Sequence, residues 1–139
     1  MSTKSSRKKL SPRATAAVDV TEAEWEVMEV LWEKSPRTSQ EIVAELEHER
    51  GWKRATVVTL LSRLVAKGAL STEPDGNRFL YTPAVDRSAC VELETSSFLE
   101  RMFGGTLRPL VAHLAERERL TKKDVAELRT LLDQIKPKK

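Results

Sequence analysis

Cysteine and histidine are nearly absent from this chain, whose 139 residues hold one cysteine, Cys90, and two histidines, His48 and His113. A single cysteine excludes an internal disulfide framework, and so few soft ligands leave almost nothing from which to build a zinc site, so no metal or other cofactor is expected. No apolar run approaches the ~20 residues of a membrane span, and no membrane insertion is expected. The opening MSTKSSRKKL lacks the apolar stretch of a secretory signal, which makes a cytoplasmic location the expectation. A catalytic constellation is also missing, because no Ser, Cys or carboxylate pair has a base beside it, and an enzyme is not expected. Aromatic residues are 5% of the chain, and the three tryptophans, Trp25, Trp32 and Trp52, read as core anchors, not as stacking platforms.

The net charge of +3 is too small to name a partner, but it is unevenly placed. Residues 1–13 carry five basic and no acidic groups, residues 21–49 two basic against nine acidic, and residues 50–82 six basic against two acidic. A basic block after an acidic one suits a nucleic-acid face backed by a solvated face, since phosphate contacts need Lys and Arg gathered on one side. Ordinary surface charge is the competing reading.

Residues 1–19 have scarcely any large apolar group to offset the entropy of ordering, and a flexible basic tail is expected. Thr21-Glu22-Ala23-Glu24 has the Ser/Thr-x-x-Glu pattern in which each end satisfies an orphaned backbone N–H, with Val20 placed to staple onto Trp25. A helix starts there with Trp25, Val27, Met28, Leu31 and Trp32 as its buried stripe, and Ser35-Pro36 ends it. Thr38-Ser39-Gln40-Glu41 repeats the pattern for a second helix, which buries Ile42, Val43 and Leu46 and stops at Gly51. In a third helix, closed by Lys67-Gly68, Val57, Leu60, Leu61, Leu64 and Val65 form the core stripe. Two β-prone runs, 69–73 and 78–82, flank Pro74-Asp75-Gly76-Asn77 and read as a hairpin in which Phe79 and Tyr81 pack. Beyond Pro83 three more amphipathic segments follow, and the terminal Lys-Pro-Lys-Lys is expected to fray.

The predicted class is therefore mainly α with a small β-hairpin wing: a winged helix-turn-helix followed by a three-helix dimerisation region. Its expected divisions are a tail over 1–19, a DNA-binding domain over 20–84 and a helical dimerisation domain over 85–139. At about 100° per residue, the outer side of the third helix carries Ala55, Thr56, Thr59, Ser62, Arg63 and Ala66, with Lys53 and Arg54 at its start. Small groups let a helix approach base edges, hydroxyls bond bases and phosphates, and Arg63 suits guanine or phosphate. The free N–H groups at the helix start also attract phosphate. Arg78 at the hairpin tip is placed to reach a flanking phosphate. A plain solvent-facing surface is the alternative for these residues, but an idle surface helix more often carries Glu, Gln and Lys than β-branched Thr. Val58 lies between the faces, where it either widens the core stripe or touches a thymine methyl.

These stretches resemble the penicillinase-repressor family of BlaI, MecI and CopY-like regulators. The likeness is carried by Thr21 through Met28 with Leu31-Trp32, by Thr38 through Ile42, by Trp52 through Leu64 and by Phe79 through Pro83. The resemblance implies a dimeric winged-helix repressor that sits on a palindromic operator in double-stranded DNA, paired through its C-terminal helices. It places Thr56, Thr59 and Arg63 on the operator-reading helix and Lys53 and Arg54 at its start, while Val58 stands where relatives often carry a longer polar or basic residue. Copper-sensing relatives carry a C-terminal cysteine cluster that Cys90 alone cannot reproduce. Relatives that answer β-lactams are cut by a membrane-bound metalloprotease at an Asn-Phe bond, and the matching position is His113-Leu114, so that motif is altered here. Leu114 also reads as a core residue of the fifth helix.

Dimerisation has an independent argument. Helices after residue 85 are too short a set to close a core alone, so Phe98, Met102, Leu110, Leu114, Leu128 and Leu132 are expected to meet a second copy across a twofold axis. Such a pair would place two recognition helices ~34 Å apart, about one DNA turn. A winged helix that binds protein without specific DNA readout is the alternative function, because fold does not fix function.

Overall fold

A computed structural model describes residues 18–137. The elements run α1 (Glu22–Glu33), β1 (Arg37–Thr38), α2 (Ser39–Arg50), α3 (Arg54–Lys67), β2 (Leu70–Asp75), β3 (Arg78–Pro83), α4 (Arg87–Phe103), α5 (Arg108–Glu116) and α6 (Lys122–Gln134). They fall into two compact units, one through Glu94 and the other from Thr95. The second unit thus begins inside α4 and not at residue 85, because Val85 and Cys90 are core residues of the first. No described helix is long and apolar enough to cross a membrane.

Local sequence starts α1 and α2 as expected, and α6 starts in the same way. The Thr21 N–H donates to Glu24 Oε1 at 3.0 Å and the Glu24 N–H donates back to Thr21 Oγ1 at 3.2 Å. Thr38 with Glu41 and Thr121 with Asp124 form the same reciprocal box. In the first unit, Val27, Met28, Val30 and Leu31 of α1 pack with Ile42, Val43 and Leu46 of α2 and Val57, Leu60, Leu61 and Leu64 of α3. Trp25, Trp32 and Trp52 are half-buried at the edge of this core. The first two stack edge to face at 5.2 Å, and the Trp32 indole N–H donates to the Val85 carbonyl at 3.0 Å.

Several expectations are corrected. Val65 is 36% exposed and outside the core, since it lies at the rim of the α3 stripe. Val58 is 39% exposed, so it does not widen that stripe. Phe79 is 54% exposed, whereas Tyr81 packs against the core. The difference follows from position: Tyr81 lies between β1 and β2, but Phe79 pairs only with Pro74 of edge strand β2. Val18 packs on the core and the Asp19 carbonyl accepts from Lys67 Nζ at 2.9 Å, so these two residues are not tail. The remainder of the predicted tail, and Lys138 and Lys139, lie outside the described residues.

The wing is a three-stranded antiparallel sheet in the order β1-β3-β2, because Arg37 and Thr38 pair with Tyr81 and Leu80. At its tip Gly76 has φ 67° at the first loop residue, the position that glycine takes in type II′ hairpins. The second unit is different in kind: among its described residues no side chain is fully buried.

Candidate nucleic-acid interface

Gly51 ends α2 in the left-handed conformation (φ 69°), Trp52 tucks in half-buried, and α3 starts at Arg54. This turn presents α3 with four buried positions, Val57, Leu60, Leu61 and Leu64, and leaves Lys53, Arg54, Thr56, Thr59, Ser62 and Arg63 exposed together on the other side. The structure therefore brings these six sequence-predicted residues onto one surface. Ala55 and Ala66 are exposed among them, so the middle of that surface is low enough for close approach of a partner.

The start of α3 differs from its neighbours. Its N-cap is Lys53, which makes no side-chain capping bond, whereas α1 and α2 close theirs with a box. The first-turn N–H groups of α3 are thus left for solvent or for an anion, next to two cations. No acidic residue lies anywhere in α3.

The pairing of charges separates α3 from the rest of the first unit. Arg37 pairs with Glu45 at 3.5 Å, Arg50 with Glu26 at 2.6 Å, Arg78 with Asp75 at 3.3 Å, Arg87 with Glu29 at 2.9 Å, and Lys67 with Glu24. Among the described residues of that unit, Lys34, Lys53, Arg54 and Arg63 have no such partner, and the last three belong to α3 and its cap. Arg78, on the wing, is exposed but engages Asp75 through its Nε, which leaves both Nη groups for another acceptor.

The opposite sign gathers elsewhere. A groove of about 310 Å³ between α1 and α2 is lined by Glu26, Glu29, Glu33 and Glu49 around Trp25, Val30 and Leu46, with Arg50 its one cation and no α3 residue in its wall. Burial pushes the Glu24 carboxyl up, but Lys67 and the Thr21 N–H outweigh it and hold the group below the ordinary 4.5. The Arg87 guanidinium holds Glu29 low, and the Thr38 backbone N–H holds Glu41 low. Hydrogen bonding to Glu45 pushes Glu49 up, and burial pushes the Cys90 thiol up. All of these groups lie on α1, α2 and α4, so their titration concerns the scaffold and not the α3 surface.

Sequence reasoning missed the Glu24–Lys67 bridge, which ties the start of α1 to the end of α3 from inside the core margin. Glu24 is 1% exposed and was legible only as half of a capping box, since its second partner lies 43 residues away.

In the second unit, Phe98, Met102, Leu128 and Leu132 are exposed at 40%, 59%, 40% and 62%. Leu110 and Leu114 are half-buried, and His113 is exposed beside Phe103, with ring centroids 6.3 Å apart. The His113–Leu114 bond lies within α5.

A family model described as penicillinase repressor matches residues 20–134. The penicillinase repressor of Bacillus licheniformis is 37% identical over 120 residues, covering 86% of this chain and 94% of the relative. The methicillin resistance regulatory protein MecI of Staphylococcus aureus (strain N315) is 30% identical over 115 residues, covering 83% and 94%. A solution structure of the Bacillus licheniformis BlaI monomeric form in complex with the blaP half-operator is 39% identical, over 51% of this chain and 87% of that one, with a TM-score of 0.46. With the family model spanning both units and relatives aligned over nearly their whole length, the chain belongs to the penicillinase repressor family.

Proposed function

We propose that this chain is a DNA-binding transcriptional repressor that acts as a homodimer on a palindromic operator, with α3 in the major groove and the wing along the backbone. The observation that carries this reading is the charge pairing of the first unit, where Lys53, Arg54 and Arg63 lack the carboxylate partner that five other cations have. Cations left unpaired on a surface with exposed hydroxyls and no acid are suited to phosphates and base edges. Arg63 and the hydroxyls of Thr56, Thr59 and Ser62 would face bases, while Lys53, Arg54, the first-turn N–H groups and Arg78 would hold phosphates. A DNA partner supports a cytoplasmic location.

Selection of binding sequences from random duplexes by the full chain tests this. Recovered sites should share two half-sites in inverted orientation, with centres about one helical turn apart or a multiple of it. Affinity should fall steeply as salt rises, because each phosphate contact releases counterions. Recovery of unrelated sequences would overturn the reading and favour a winged helix that binds protein.

The exposed apolar residues of the second unit support pairing through it, since the described residues of one copy leave them uncovered. Relief of repression by a membrane-bound metalloprotease belongs to the same reading, with His113–Leu114 as the position cut. That bond sits in helical backbone, so α5 must open before a protease can seat it in extended form. Mass spectrometry of the chain after incubation with the sensor protease should yield a fragment starting at Leu114, and an uncut chain would contradict this step.

A further inference from the structure

The exposed surface of α3 has two unlike flanks. With Val57, Leu60, Leu61 and Leu64 marking the buried side, Ala55, Ser62 and Ala66 lie opposite it at about 100° per residue. Thr56, Thr59 and Arg63 form one flank, rich in hydrogen-bonding groups. The other carries Arg54, Val58 and Val65, and its two valines are 39% and 36% exposed. Val58 stands one turn after Arg54 and one turn before Ser62, in the half of the helix that reaches base edges in helix-turn-helix proteins. Val65 lies two turns further on.

In the major groove the four bases present donors and acceptors, and thymine alone among them also presents a methyl group, at C5. An isopropyl group on a helix side that faces those edges has no other apolar partner there. We infer that Val58 is a specificity-determining residue that reads the C5-methyl of a thymine at one fixed position in each operator half-site. This rests on the reading of α3 as the helix that enters the groove. The hydroxyl flank then fixes hydrogen-bonded bases, and Val58 adds discrimination of thymine from cytosine at a neighbouring step by shape alone.

The test uses the full chain and a duplex carrying its selected site. Thymines are replaced one at a time by deoxyuridine, symmetrically in both half-sites, which removes the methyl and leaves base pairing intact. One position should weaken binding by about fourfold per half-site, the effect of losing one buried methyl-sized contact. In Val58→Ala that position should become indifferent to the replacement, while Val58→Thr, which keeps one methyl, should retain part of the effect. The proposal is overturned if no thymine responds, or if Val58→Ala keeps the full response of the unsubstituted chain at the responding position. Failure to recover any shared site would instead remove the DNA reading of α3, and this inference with it.

Discussion

The two units of this molecule solve the same packing problem differently. In the first, sixteen apolar residues from Val20 to Cys90 are buried against each other, and the surface left over is mostly small, polar or charged, with Val58, Val65, Phe79 and Leu93 as the large apolar side chains exposed on it among the described residues. In the second, three helical segments hold eight leucines in a shorter stretch but bury none of them fully, and Met102, Leu107, Leu131, Leu132 and Ile135 stay at least half exposed. A unit with a closed core can spend its outer surface on recognition, whereas a unit without one needs a partner before it is complete. On the proposed function, DNA reading falls to the first unit and chain pairing to the second.

The most damaging way to probe the first unit is to open its core. Leu61→Ala, at a position 1% exposed, should lower the stability of that unit by about 2–5 kcal/mol in chemical denaturation. Leu132→Asp, at a position 62% exposed in one chain, should leave that transition almost unmoved. It should instead raise the dimer dissociation constant on the order of a hundredfold in sedimentation, because both copies lose the contact. A large stability loss in Leu132→Asp with no change of association would break the division between the units.

Arg63→Ala should weaken operator binding by about 1–3 kcal/mol per subunit and relax selection at the base it reads, with unfolding and dimerisation unchanged. The smallest effect is on pH. Glu24 has its carboxyl held below the ordinary 4.5 in the folded chain, so the stability it contributes is complete above that value and is lost as the pH falls through the lower folded value. Thermal unfolding of the first unit should show this acid loss, and Glu24→Gln should flatten it.

What was legible in the sequence divides along the reach of each interaction. The boxes at Thr21, Thr38 and Thr121 are complete within four residues, and the 3.6-residue stripes of α1 to α3 need only the helix itself, so both were readable. β1 was not, because two residues have no periodicity and Arg37 and Thr38 become a strand only by pairing with Tyr81 and Leu80. Glu24 was read as a cap and not as a buried ion, since Lys67 is distant in sequence. A helical wheel gives the direction of Val58, Val65 and the six exposed polar residues of α3 and its cap but not the width of what covers the opposite side, and so Val65 was misplaced and Val58 left open while the polar residues are exposed as expected. Phe79 was read from its alternation with Tyr81, which gives the face of the strand but not how far the core extends beneath it.

The division of labour between the units is tested most directly by footprinting the full chain and Leu132→Asp on one selected operator. The full chain should protect two half-sites symmetrically at a single concentration threshold, while Leu132→Asp should protect the half-sites independently and only at higher concentration. A single asymmetric footprint for the full chain, or an unchanged symmetric one for Leu132→Asp, would contradict it.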